Sequence, residues 1–238
     1  MCKSGGIRLS MVDLSQVGIC FDVDGTLYPV SKWKIAWRLR KQLGLLRAMH
    51  RSREEMRTSE ASFTTHPEFL EAEAGRVAEA LRLSTDKVTG QLAELKLSLA
   101  DVMTKNAKPF PGVRESLAWA VGQGAAVAVL SDYSPHQKLS NLGLESIGWS
   151  ACFGAEECGA LKPNIAGFET VRMSCKQNIR TWVYIGDRQD TDVVGAQSSG
   201  FVPVLFSSRE IGSSVFLLRD WNLATFKRLI GEILSSEP

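Results

Sequence analysis

Short apolar segments that end in polar or acidic residues constrain the fold of this 238-residue chain most strongly. Continuous β-branched runs of this length suit strands buried on both faces, as in a parallel sheet covered by helices. Four such segments cover residues 17–24, 125–132, 181–187 and 201–206, and a shorter candidate covers residues 151–154. Helix-like segments lie near residues 112–123, 135–142, 164–177, 190–199 and 222–235. This alternation predicts a doubly wound α/β fold with a mostly parallel sheet.

Residues 29–107 break the alternation and predict an all-helical insertion. Apolar residues recur there at helical spacing, most clearly in the run that follows a helix-start signal at Ser84 and Thr85. The sequence "THPE" at residues 65–68 resembles a capping box with proline in the first turn. We therefore predict a core formed by residues 1–28 and 108–238, interrupted by a helical domain at residues 29–107.

Composition excludes several classes of protein. Hydrophobic residues make up 44% and charged residues 23%, as in an ordinary globular protein, and no apolar run approaches the roughly 20 residues that span a bilayer. The N-terminal residues have no long apolar stretch typical of a signal peptide, so a cytoplasmic location is expected. The five cysteines include no C-x-x-C pair and the three histidines lie far apart, which predicts neither a disulfide framework nor a zinc site.

Polar side chains gather where the predicted strands end. Asp22 and Asp24 close the first strand, Ser131 closes the second, and Asp187 follows a third. In open α/β sheets ligands bind at the carboxyl ends of the strands. Two neighbouring carboxylates repel each other, and partial burial makes each more costly. A cation is therefore expected at this edge of the sheet.

Four motifs occur in a fixed order along the chain: "DVDGT" at 22–26, "LSD" at 130–132, "KP" at 162–163 and "GDRQDTD" at 186–192. With these motifs the sequence resembles the haloacid dehalogenase-like hydrolase superfamily from about residue 17 to 206. The resemblance implies a Rossmann-like three-layer core with a mostly parallel sheet. It also implies an all-helical cap domain inserted after the first motif.

The resemblance implies a role for each motif residue. Asp22 matches the nucleophile, which would carry the phosphoryl group as an aspartyl-phosphate. Asp24 matches the general acid/base, which protonates the leaving oxygen and later activates water. Ser131 and Asp132 are expected in the phosphate-binding site. Lys162 is expected there too, and would neutralise charge during catalysis.

The same resemblance implies a magnesium site. Mg²⁺ prefers hard oxygen ligands, commonly one or two carboxylates with waters and phosphate oxygens. The expected ligands are the Asp22 side chain, the Asp24 backbone carbonyl and Asp187. Asp192 would act on the water shell of the metal or orient the lysine. Asp190, which lies between them, has no assigned role.

Several functions remain open at this stage. Dehalogenases of the superfamily lack the acid found here as Asp24, so the leading interpretation is a Mg²⁺-dependent phosphatase acting on a small phosphorylated metabolite. A sugar-phosphate phosphomutase shares the core and the helical cap. Phosphonate hydrolysis is less favoured, because that branch is expected to lack the acid found here as Asp24 and to use a lysine of the cap. Tyr28, directly after the first loop, would lie either at the site entrance or in the hinge.

Residues 31–57 carry nine of the 28 lysine and arginine residues, although the net charge of the whole chain is only +2. Apolar residues run beside these cations, including Trp33, Trp37, Leu39 and Leu46. Such a segment suits a packed cap helix with a solvated basic face, cations that attract an anionic substrate, or an interfacial helix on anionic lipid. The last option would also suit a non-enzymatic binding module. No nucleic-acid motif is present.

Overall fold

The computed structural model describes residues 13–209 and 215–236. Its strands are β1 (Val17–Phe21), β2 (Ala126–Ser131), β3 (Ala151–Gly154), β4 (Thr181–Gly186), β5 (Val202–Phe206) and β6 (Phe216–Leu218). They form one sheet in the order β3-β2-β1-β4-β5-β6, and every neighbouring pair is parallel. The α/β prediction is confirmed. Strand β6 was not predicted, because its three residues are too few to show a pattern.

Helices cover both faces of the sheet. They are α5 (Val113–Gly122), α6 (His136–Asn141), α7 (Ala166–Ser174), α8 (Val194–Ser198) and α9 (Leu223–Ser236). Ile19 and Phe21 of β1 belong to the apolar cluster that contains α5 and α9, whereas Cys20 belongs to the cluster that contains α7 and α8. Successive strand side chains point to opposite faces, which explains this alternation. The result is the expected three-layer core, with β1 at its centre.

Four further helices lie between β1 and β2: α1 (Lys32–Arg38), α2 (Leu43–Thr58), α3 (His66–Leu81) and α4 (Thr85–Thr104). We call these helices the cap. The capping box is confirmed, because Thr65 Oγ1 accepts a hydrogen bond from the Glu68 amide and the Glu68 carboxylate accepts one from the Thr65 amide. The cap has its own apolar core, to which Met49, Val77 and Leu95 contribute. The exact division at residues 28 and 108 stays a prediction.

The apolar residues of the basic segment do not form one packed stripe. Leu39 and Leu46 are buried in the apolar core of the cap. Trp33 and Trp37 instead lie in solvent, 75% and 57% exposed, and their rings stack on each other with centroids 5.9 Å apart. The segment therefore combines a packed part in α2 with an exposed part in α1. Among the described residues, no helix is long and apolar enough to cross a membrane.

Candidate active site

The sheet brings the four motifs together at one edge. Asp22 follows β1, Ser131 ends β2 and Asp187 follows β4, and β1 lies between β2 and β4. A cavity of about 350 Å³ opens above these strand ends, between the core and the cap. All seven site residues expected from the sequence line this cavity: Asp22, Asp24, Ser131, Asp132, Lys162, Asp187 and Asp192.

Lys162 is the central cation of the site. Its ammonium donates hydrogen bonds to Asp22 Oδ1 at 2.8 Å and to Asp192 Oδ1 at 2.7 Å. A third bond reaches the hydroxyl of Tyr184 at 2.9 Å, and Tyr184 in turn donates to the Leu130 carbonyl. Burial alone would lower the pKa of Lys162, but Asp192 and Asp22 outweigh burial and raise that pKa well above its ordinary value. The lysine is therefore charged.

A carboxylate cluster lies beside this lysine. Oxygens of Asp22, Asp187 and Asp192 lie within 4.8 Å of one another. Burial, with Asp192 nearby, raises the pKa of Asp22 to about 8, and burial together with Asp192 raises that of Asp187 to about 6. Three carboxyl groups thus lie beside the single ammonium of Lys162. Closely spaced carboxylate oxygens are the ligands that Mg²⁺ prefers, so this donor set fits the ion.

Glycines make room for the carboxylate cluster. Gly25 has a left-handed backbone with φ of +88°, and a side chain there would overlap the carboxylate of Asp187. A side chain at Gly186 would overlap Asp192. Glycine adopts positive φ at little steric cost, which explains its use in the first loop. The hydroxyl of Thr26 donates to Asp22 Oδ2 at 3.2 Å and further holds that loop.

Asp24 is not part of the carboxylate cluster and has partners of its own. Its Oδ1 accepts a hydrogen bond from the Tyr28 hydroxyl at 2.5 Å, and its Oδ2 forms an ion pair with Lys138 of α6. Tyr28 is fully buried in the core, so it does not lie at the entrance of the site. Lys138 is buried as well, and it was missed in the sequence because a single lysine in a short helix suggests no role.

The cavity is also lined by hydroxyl groups that have no protein hydrogen-bond partner among the described residues. Ser131 Oγ is buried and has no hydrogen-bond partner within the described structure, and the same holds for Thr191 Oγ1. Asp132 has a partner, since its Oδ2 accepts from Arg57 Nη2 at 2.6 Å. Burial would raise the pKa of Asp132, but Lys162 and Arg57 outweigh it and lower that pKa. A direct contact between Asp132 and the phosphate stays a prediction. Repulsion between an ionised carboxylate and a phosphate argues against it.

A second buried ion network joins the cap to the core beside the site. Arg53 of α2 donates from Nε to Glu73 of α3 at 2.6 Å and forms an ion pair with Glu156, which follows β3. Lys96 of α4 completes the network at 2.7 Å from Glu73 and 2.8 Å from Glu156. The Arg53 guanidinium stacks 3.9 Å above the ring of Tyr133. These residues have no shared motif, so sequence reasoning could not group them.

Comparison with known proteins identifies the family. The family model described as haloacid dehalogenase-like hydrolase matches residues 17–200 of the chain. The chain belongs to this family. A glyceraldehyde 3-phosphate phosphatase of Methanopyrus kandleri is 30% identical over 195 residues, which cover 78% of this chain and 82% of that protein. An enzyme of the same name from Methanothermobacter thermautotrophicus is 25% identical over 201 residues, covering 80% and 85%.

Solved structures of haloacid dehalogenase-like hydrolases support the fold. A 2-haloacid dehalogenase from Pseudomonas syringae pv. Tomato superimposes with a TM-score of 0.63 at 18% identity, covering 92% of this chain and 99% of that one. A β-phosphoglucomutase from Clostridium difficile also gives 0.63, at 14% identity, with coverages of 92% and 98%. At these identities the likeness concerns the fold alone.

Proposed function

We propose that the protein is a Mg²⁺-dependent phosphatase that hydrolyses a small phosphomonoester through an aspartyl-phosphate on Asp22. One observation carries the proposal: Lys162 bridges Asp22 and Asp192 within the carboxylate cluster, and the unpartnered hydroxyl of Ser131 lines the same cavity. This is an arrangement of a nucleophile, a cation and a free donor around one cavity. The curated relatives, both named as phosphatases, support the same reaction class.

The chain's own residues divide the reaction into two steps. In the first, a carboxylate oxygen of Asp22 bonds to phosphorus while the ester P–O bond breaks, and Asp24 donates a proton to the leaving oxygen. Lys162 and the Ser131 hydroxyl stabilise the charge on the phosphoryl oxygens. In the second, a water gives its proton to Asp24 and attacks phosphorus. The bond to Asp22 then breaks, which releases phosphate and restores the carboxylate.

The metal would be held by Asp22 and Asp187, with Asp192 alongside and the backbone carbonyl of Asp24 as a further ligand. When bound, it would supply positive charge that offsets the repulsion between the carboxylates and the phosphate. The side chain of Asp24 would act as the general acid and base rather than as a metal ligand, since Lys138 and Tyr28 hold its carboxylate outside the cluster.

The presence of Asp24 favours phosphoryl transfer over dehalogenation, because a halide leaves without a proton whereas an alkoxide needs one. A phosphomutase would use the same nucleophile but return the phosphoryl group to another position of the sugar. The two are separated by the product, which is free phosphate for a phosphatase and an isomeric phosphate ester for a mutase.

The test is phosphate release from p-nitrophenyl phosphate, with and without Mg²⁺, by the wild type, Asp22→Asn and Asp190→Asn. Asp190 is a matched control, because its carboxylate is exposed and pairs with Arg188 outside the cluster. Turnover should need Mg²⁺, fall at least about a thousandfold in Asp22→Asn and stay near wild type in Asp190→Asn. Turnover that survives in Asp22→Asn would refute the aspartyl-phosphate mechanism.

Asp24→Asn gives a second, independent test of the acid role. Its effect should be larger for ethyl phosphate, whose alkoxide needs a proton, than for p-nitrophenyl phosphate, whose phenolate leaves unaided. Equal losses on both substrates would argue against Asp24 as the general acid.

A further inference from the structure

The walls of the active-site cavity differ sharply in polarity. The core contributes the carboxylates, Lys162 and Ser131 described above. The cap side is apolar, and its lining residues come from the segment before α1 and from α1, α2 and α4: Val30, Ile35, Leu43, Leu46, Leu99 and Met103. A phosphate group bound at the strand ends would therefore place the rest of the substrate against hydrocarbon.

Only two polar side chains of the described cap residues line the cavity, Lys32 and His50. Lys32 is an exposed residue at the start of α1. The pKa of His50 is lowered by burial and by the neighbouring Arg53 and Arg57, so its imidazole is uncharged at neutral pH. No carboxylate, amide or hydroxyl of the described cap residues lines the cavity. Hydroxyl groups placed against this wall would lose water without gaining a partner.

We infer that the substrate carries its phosphate on an apolar body, as a phosphomonoester of an aliphatic or aromatic alcohol rather than of a sugar or nucleoside. This inference rests on the proposed phosphatase function and specifies its substrate class. It also distinguishes this chain from the relatives named for glyceraldehyde 3-phosphate, whose substrate has a hydroxylated three-carbon body.

The size of the cavity limits the apolar body. Its volume of about 350 Å³ lies near the lower end of small-molecule pockets, which span about 300–1,000 Å³. A cavity of this size suits a phosphate group with a small apolar body, such as a short aliphatic chain or one aromatic ring.

A homologous series tests the inference on the wild-type enzyme. Ethyl, butyl, hexyl and octyl phosphate share a primary alkoxide leaving group, so the intrinsic difficulty of breaking the ester bond stays constant. Each buried methylene should raise kcat/KM by roughly fourfold until the cavity is full. Hexyl phosphate should also exceed glucose 6-phosphate, its hydroxylated six-carbon counterpart, by at least about tenfold. A flat series, or a preference for glucose 6-phosphate, would overturn the inference and leave the phosphatase proposal intact.

Two variants locate the effect in the cap wall. Ile35→Asn places an amide in the apolar wall, and the ratio of hexyl to ethyl phosphate activity should fall at least about fivefold. Leu83→Asn is the control, because Leu83 is an exposed leucine of the cap that does not line the cavity. The ratio of hexyl to ethyl phosphate activity in Leu83→Asn should match that of the wild type. Equal ratios in wild type and a folded Ile35→Asn would overturn the assignment of this wall to the substrate body.

A binding measurement separates failure of this inference from failure of the proposed function. Alkylphosphonates of two to eight carbons resist hydrolysis, and calorimetry can report their Kd for the Mg²⁺-loaded protein. A Kd that falls with chain length supports the apolar site even if no phosphate is released from any ester. A Kd independent of chain length contradicts it. Absence of Asp22-dependent phosphate release across all esters would instead refute the phosphatase proposal.

Discussion

Arg57 of α2 donates from Nη2 to Asp132 Oδ2 at 2.6 Å and from Nε to the backbone carbonyl of Lys162 at 3.0 Å. One cap side chain thus holds two segments of the core that flank the cavity. Both partners of the ion pair are largely buried, with side-chain exposures of 11% and 17%. Because a buried carboxylate without its cation is costly, this contact couples the position of the cap to the stability of the core.

Replacing Arg57 by glutamine should therefore lower the free energy of unfolding by about 3 kcal/mol, measured by urea denaturation. Arg51 provides a control in the same helix, since its side chain is 79% exposed and pairs with the neighbouring Glu55. Arg51→Gln should change stability by no more than about 0.5 kcal/mol. Similar values for the two variants would contradict a structural role for the Arg57 contact.

Ser131→Ala should separate activity from stability. The hydroxyl has no protein partner among the described residues, so removing it should change the free energy of unfolding by no more than about 0.5 kcal/mol while phosphate release falls at least about tenfold. Buried Ser116 is the matched control, because its hydroxyl donates to the Trp221 carbonyl. Ser116→Ala should destabilise without the same loss of activity. A Ser131→Ala variant with wild-type kinetics would exclude the serine from phosphate binding.

If the proposed metal site is correct, Mg²⁺ should raise the melting temperature, because it would neutralise the carboxylate cluster in the folded state alone. At ten times its Kd the ion adds about 1.4 kcal/mol, which is a shift of about 3–6 °C for a chain of this size. Chelation should reverse the shift. Asp187→Asn removes one ligand and should abolish most of it, whereas Asp190→Asn should keep it. An equal shift of the melting temperature in Asp187→Asn and Asp190→Asn would show that the ion binds at a different site.

The Arg53 network predicts acid sensitivity through Glu156. Burial opposes ionisation of this carboxyl, but Arg53 and Lys96 outweigh burial and lower its pKa below the ordinary value of 4.5. The folded state then binds fewer protons than the unfolded state, so the stabilisation is complete above about pH 4.5 and is lost as pH falls through the lowered pKa. Glu156→Gln should be about 2–3 kcal/mol less stable at pH 7, and the difference should shrink below pH 4. Glu55 is exposed, so the stability difference between Glu55→Gln and the wild type should not shrink in this way as the pH falls.

Lys138 is expected to position Asp24 rather than to touch the substrate. Lys138→Met removes the cation from the Asp24 carboxylate and should lower kcat for alkyl phosphates at least about tenfold, by a smaller factor than Asp24→Asn. Lys138→Arg should recover part of that loss, since it keeps the charge. If Lys138→Met altered KM alone, the lysine would belong to substrate binding instead.

Local sequence patterns predicted the core of this protein well. Apolar strand segments ending in Asp22, Ser131 and Asp187 indicated a parallel sheet with a site at its carboxyl edge, and the sheet places these residues around one cavity. The capping box at Thr65 was readable because it depends on residues three positions apart. Such signals survive in a single sequence because their physical causes, strand burial and hydrogen bonding at a helix end, act over short stretches of chain.

Sequence by itself determined the order of the motifs, the alternation of strands and helices and the presence of a helical insertion. Tertiary structure alone decided that Lys138 meets Asp24, that Arg53 meets Glu156 and that Trp33 lies in solvent while Leu46 is buried. It also decided that the cap presents hydrocarbon to the cavity. These contacts join residues far apart in the chain, and they depend on how the cap helices are rotated and docked against the core. No local pattern encodes that docking, because an amphipathic helix specifies a buried face but not the partner that covers it.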